Sequence, residues 1–117
     1  MKIGEHAGEG YRRLVENPAW MVAVINYAPR FDAVNFVRME RHVKTDEVFV
    51  LLSGHATLVV GEQMERIEMD PTKVYTMECG EWHHILVSRD AKVLVVENAD
   101  TSPVNTEYRD VACLGRA

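Results

Sequence analysis

Cysteine is scarce in this chain, with only Cys79 and Cys113 among 117 residues. No apolar leader follows Met1-Lys2-Ile3-Gly4, so a cytoplasmic location is expected and the two thiols are expected to stay free rather than form a bridge. No apolar run approaches the roughly 20 residues that span a bilayer. A basic surplus is missing as well: 13 Lys and Arg stand against 18 Asp and Glu, a net charge of −5 at pH 7. Nucleic-acid binding depends on neutralising phosphates, and docking on anionic lipid needs the same positive surface, so both partners are disfavoured. There is no solenoid repeat and no stretch biased enough to act as a linker. A chain of 117 residues has room for one core, and hence one domain.

What the sequence does contain is a series of short runs of Val, Ile, Leu and Phe. Gly, Pro, Asp and Asn interrupt them every eight to twelve residues or so, the spacing of an antiparallel sandwich or barrel. Strands are expected at 20–26, 35–42, 47–53, 55–60, 64–69, 74–77, 83–88 and 92–98, where β-branched side chains suit a pleated surface. Gly54 separates two of these runs so closely that it marks a sharp corner. Gly61 supplies a hairpin turn, and Asp70-Pro71-Thr72-Lys73 has the form of a turn with proline second. Residues 5–16 fit either a short helix or an edge strand, and the tail after Pro103 has no clear pattern. The expectation is an all-β domain with little helix, made of an arm over 1–19, a barrel over 20–98 and a tail over 99–117.

Chemistry gathers first between Phe36 and Glu47. Side chains alternate along a strand, so Phe36, Arg38, Glu40 and His42 share one face, while Val37, Met39, Arg41 and Val43 share the other. A polar turn at residues 44–46 brings Glu47 back beside His42. Taken alone, this pattern fits a solvated sheet face equally well. A second cluster, Glu78-Cys79-Gly80-Glu81-Trp82-His83-His84, is a turn that opens into a strand. Parity sends His83, with Ile85 and Val87, to one face and His84, with Leu86, to the other, so only one histidine of the pair points inward.

These two clusters resemble the motifs of the cupin superfamily, small jelly-roll β-barrels. The family's first motif has two histidines one residue apart, then a glutamate and a glycine. His42, Glu47 and Gly54 match its second histidine, glutamate and glycine, and Glu40 stands where the first histidine would be. The second motif, Pro-x-Gly-x-x-His, is matched by Gly80 and His83, with Glu78 in place of proline. The resemblance implies a single-domain cupin-type barrel with one divalent metal ion inside it, held by His42, Glu47 and His83, with Glu40 as a fourth ligand or a general base. Two imidazoles with carboxylates suit Mn, Fe, Co, Ni or Zn. With Glu40 ionised the centre sums to zero charge and polarises a substrate less strongly than a cationic one, which favours acid–base chemistry.

Without a metal, Glu40 and Glu47 would repel each other, and Arg38 is the nearest cation on their face. It is expected either to pair with one of them or to hold an anionic group of a substrate. Phe36, Phe49, Leu51 and Tyr75 are expected to line the barrel. Arg41 and Lys44 are expected at the surface, and His6 and His55 read as scattered polar residues. The function implied is that of a metal-binding protein acting on a small polar or anionic metabolite, a sugar or a carboxylate, as an isomerase, lyase or oxygenase. A non-catalytic binding or sensing module and a plain salt-bridged scaffold remain as alternatives. The resemblance also implies a homodimer, to which an arm bearing Tyr11, Leu14 and Val15 would lend an edge strand or an exchanged segment.

Overall fold

In the computed structural model, which describes residues 1–113, ten strands form two antiparallel sheets. The first sheet contains β1 (Gly10–Glu16), β2 (Trp20–Asn26), β4 (Glu47–Ser53), β7 (Tyr75–Met77) and β9 (Lys92–Asn98), in the order β1-β2-β9-β4-β7. The second contains β3 (Arg38–His42), β5 (Ala56–Val60), β6 (Glu65–Glu68), β8 (His83–Val87) and β10 (Thr106–Asp110), in the order β10-β3-β8-β5-β6. The only helical pieces among the described residues are 3-10 turns of three residues.

Period-two burial builds the core. Along β9, Val93 and Val95 are fully buried, and along β4, Phe49 and Leu51 turn to the same side. Facing them from the second sheet are Ala56, Leu58, Ile85 and Val87. Burying each of the larger of these side chains stabilises the fold by roughly 1.5–3 kcal/mol. A separate apolar cluster of Met39, Val59, Trp82 and Leu86 covers the outer face of the second sheet. Phe36 packs there instead of lining the barrel. It precedes β3, because Asp32 caps a 3-10 turn at Ala33–Asn35 through the Val34 amide, so the strand begins at Arg38 and parity does not reach back to residue 36.

The sheets extend beyond the span 20–98. Residues 10–16 form an edge strand, not a helix, and pair with β2 of the same chain. The segment ahead of it folds back on the same chain too. Asn26 donates to the carbonyls of His6 and Gly8, and Lys92 donates to His6 O at 2.7 Å. His6 is accordingly buried, its Nε2 2.8 Å from Gly10 O, and is no scattered surface residue. In the tail, β10 pairs with β3 along its whole length, from Thr106↔His42 to Asp110↔Arg38. Cys79 is free and exposed; the Cys113 side chain and the tail after it lie outside the described residues.

Candidate metal centre

Three strands bring the centre together. Alternation along β3 puts Glu40 and His42 on the inner face, and the β3–β8 register sets Glu40 directly opposite His83. Glu47 enters from the other sheet, at the start of β4. The turn at residues 78–81 fixes how closely these elements approach. The Gly80 amide donates to His42 O at 2.7 Å, and the Cys79 amide donates to Asp46 Oδ1 at 2.8 Å. Gly80 takes φ +87° in this turn, in the left-handed region that glycine enters without steric cost.

Glu47 Oε1 lies 3.0 Å from His42 Nε2 and 3.0 Å from His83 Nε2. Glu40 Oε1 is looser, 3.7 Å from His83 Nε2 and 4.0 Å from His42 Nε2. All four donor atoms lie within 4.8 Å of one another. The outer nitrogens of both rings are already engaged. His83 Nδ1 donates to Glu81 O at 3.0 Å. Thr106 gives its hydroxyl proton to Ser102 O, so its oxygen accepts from His42 Nδ1 at 2.9 Å. A neutral ring with its proton on Nδ1 would turn an Nε2 lone pair toward a carboxylate oxygen, so the contact calls for either a second ring proton, which then donates to Glu47, or a metal cation in its place. These residues fit a divalent ion: two imidazole nitrogens and two carboxylates, with Glu81 O and Thr106 Oγ1 accepting from the Nδ1 atoms and so orienting both rings. Cys79 lies outside the group.

His83 and His84 part as alternate residues on a strand must. The His84 ring stacks on Phe36, with centroids 4.8 Å apart and planes 7° from parallel. Burial, then the nearby Arg30 and His83 charges, push its pKa down to about 4, so the ring is neutral. Arg38 forms no ion pair with Glu40 or Glu47. Its guanidinium stacks on Tyr108 instead, 4.1 Å from the ring centroid, because β10 places Tyr108 opposite Glu40. Arg41 pairs with Glu107 at 2.6 Å and also lies over Trp82.

No family model matches this sequence, and no curated protein matches it. Solved structures do match. A cupin-2 domain protein from Shewanella frigidimarina superposes with a TM-score of 0.61 at 16% identity, over 80% of this chain and 84% of its own. The fold is that of the cupins. Pac13, a nucleoside dehydratase from Streptomyces, superposes with a TM-score of 0.64 at 12% identity, covering 92% of this chain and 85% of that one. KdgF from Halomonas gives 0.58 at 11% identity, covering 80% and 81%.

Inside this cupin barrel stands one acid that motif reading passed over. Glu97 is buried, paired across the β4–β9 register with Glu47, and lines the same cavity. Burial, the hydrogen bond to Glu47 and the Glu47 charge all push its carboxyl well above the usual range, so Glu97 carries a proton and donates it to Glu47. A signal for it was present, because alternation along β9 sets Glu97 on the same face as Val93 and Val95. Burial alone would raise Glu47 too, but hydrogen bonds from His42, His83 and Glu97 outweigh it and hold the carboxylate ionised, well below its ordinary range. A buried, unpaired carboxylate would cost several kcal/mol.

This arrangement gives the metal-free protein a pH dependence. Burial opposes the charged form of His83, but the Glu47 hydrogen bond and charge raise its pKa above 6.5. The His83 contribution is therefore complete below about pH 6.5 and is lost as pH rises through the elevated folded value. The Glu47 contribution is present above about pH 4.5 and is lost as pH falls toward its depressed value. Urea unfolding of chelator-treated protein is expected to show stability falling from pH 6.5 toward pH 9, with a flatter profile in His83→Asn. Parallel profiles for the two proteins would contradict this.

Proposed function

We propose that this chain is a metal-binding cupin that takes a small polar or anionic metabolite, a sugar or a carboxylate, into its barrel. One observation carries the reading: the Nε2 atoms of His42 and His83 meet Glu47 Oε1 at 3.0 Å while both Nδ1 atoms are held by other partners. Mn, Fe, Co, Ni and Zn all accept this donor set. A cavity of about 310 Å³ opens beside the four donors and has room for a ligand the size of a hexose.

The two carboxylates have different parts. Glu47 is buried and saturated with hydrogen bonds, so it holds the centre together. Glu40 is 36% exposed and bound only loosely, so its carboxylate is the one able to take up or return a substrate proton. A divalent ion balanced by Glu40 and Glu47 leaves the centre neutral. Proton-transfer chemistry, an isomerisation or an elimination, suits such a centre better than steps that need a strong electrophile. The dehydratase activity of Pac13, on the same fold, is in keeping with this.

Elemental analysis of untagged protein tests the reading, with close to one divalent metal per chain as the expected result. Metal-free protein from metal-supplemented cells would overturn it. A loaded protein that binds sugars or carboxylates without turning them over would be a binding or sensing module.

A further inference from the structure

Three arginines line the cavity, and their surroundings differ. Arg13 is fully engaged: it donates to Tyr11 Oη at 3.3 Å, to Glu16 at 3.2 Å and to Thr101 O at 2.8 Å. Arg30 and Arg38 form no ion pair among the described residues. Each is held instead by an aromatic face, with Arg30 4.1 Å from the Phe31 centroid and Arg38 4.1 Å from that of Tyr108. Stacking fixes the plane of a guanidinium while leaving its N–H edge free for a carboxylate or phosphate. Both arginines lie close enough to His84 to act on its ring. The inner end of the cavity is neutral once an ion sits between Glu40 and Glu47, so the two guanidiniums set the sign of the potential that an entering ligand meets.

We propose that Arg30 and Arg38 form an oxyanion clamp at the cavity mouth, which selects a small polyhydroxylated ligand carrying one terminal carboxylate or phosphate. The clamp rests on reading this cavity as the ligand site. Its distance from the centre sets the ligand's length. Arg38 and Glu40 are two residues apart on one strand face, about 7 Å, and Tyr108 lies alongside Glu40. An anion held by the clamp therefore leaves hydroxyl or carbonyl oxygens four or five bonds away to reach the Glu40 end, the span of a six-carbon chain.

Calorimetric titration with glucuronate, glucose 6-phosphate and neutral glucose tests the clamp and also separates carboxylate from phosphate. At least one of the anions is expected to bind about tenfold more tightly than glucose, with an advantage that shrinks as salt is added. Arg30→Gln and Arg38→Gln should each weaken anion binding about tenfold and leave glucose unchanged. Arg109→Gln, which removes an arginine stacked on Trp82 outside the cavity, should match the parent. Equal binding of glucose and the anions, no anion binding at all, or arginine variants that bind like the parent would each overturn the proposal. Metal content measured on the same samples keeps the two readings apart. Metal-free protein that still discriminates by charge keeps the clamp and sinks the metal centre, while loaded protein indifferent to charge does the reverse.

Discussion

His83→Ala is expected to leave the protein without metal, while His84→Ala, one residue away, keeps its full complement. The two side chains have almost the same sequence context and opposite surroundings. His83 Nε2 points at Glu47 and its Nδ1 is tied to Glu81 O, so the ring is fixed in the orientation a ligand needs. Outer partners of metal ligands alone are commonly worth 10–100-fold in affinity, so loss of the ligand itself should weaken binding by at least about 100-fold. The His84 ring stacks on Phe36 and is not one of the four donors. Its removal should cost about 0.5–1.5 kcal/mol of stacking and leave metal binding unaffected. Chelator competition and elemental analysis on the two variants measure the difference directly. Equal metal loss from both would mean that the β8 faces are assigned the wrong way round.

Gly54→Ala is expected to be the most damaging alanine substitution among the described glycines. Gly54 joins β4 to β5 with φ +71°, and a Cβ there would lie 2.6 Å from Ala91 Cα and 2.8 Å from Ala91 N. Those are backbone atoms of the 88–91 loop and cannot move aside as a flexible side chain would. The left-handed conformation costs a non-glycine residue about 1–2 kcal/mol, and the clash adds roughly 1–3 kcal/mol. Together these should lower the melting temperature by roughly 10 °C or more. Gly61→Ala is the control, because Gly61 has a similar φ of +79° but nothing within 4 Å of its added Cβ, so only the conformational term applies. Urea unfolding of both variants isolates the contact, and equal destabilisation would show that the approach of the loop to Gly54 carries no energetic weight.

The roles of the loops divide in the same way. Turns with local chemistry form where the sequence places them. Asp70 caps its own turn through the Thr72 amide at 2.8 Å, as the Asp-Pro pair implies. The Ser88–Ala91 loop closes through the Ala91 amide to Ser88 O. Segments held only by distant partners have no such local signature. The tail strand β10 has few β-branched residues and is largely exposed, and it is held in place by pairing with β3, more than sixty positions earlier.

By itself the sequence determined what repeats locally. Alternation set Glu40 and His42 on one face of β3 and divided His83 from His84, and glycine spacing marked the corner at Gly54. Only the tertiary structure decided which of these faces meet. Glu47 contacts both imidazoles because amides of the 78–81 turn bind His42 O and Asp46, contacts that span more than thirty positions. Glu97 lies against Glu47 through a register between strands fifty positions apart. Arg38 turns to Tyr108 rather than to a carboxylate because β10 fills the place beside it. A strand's faces follow from its own backbone geometry, whereas its neighbours follow from the burial of the whole chain, and no short stretch of residues encodes that.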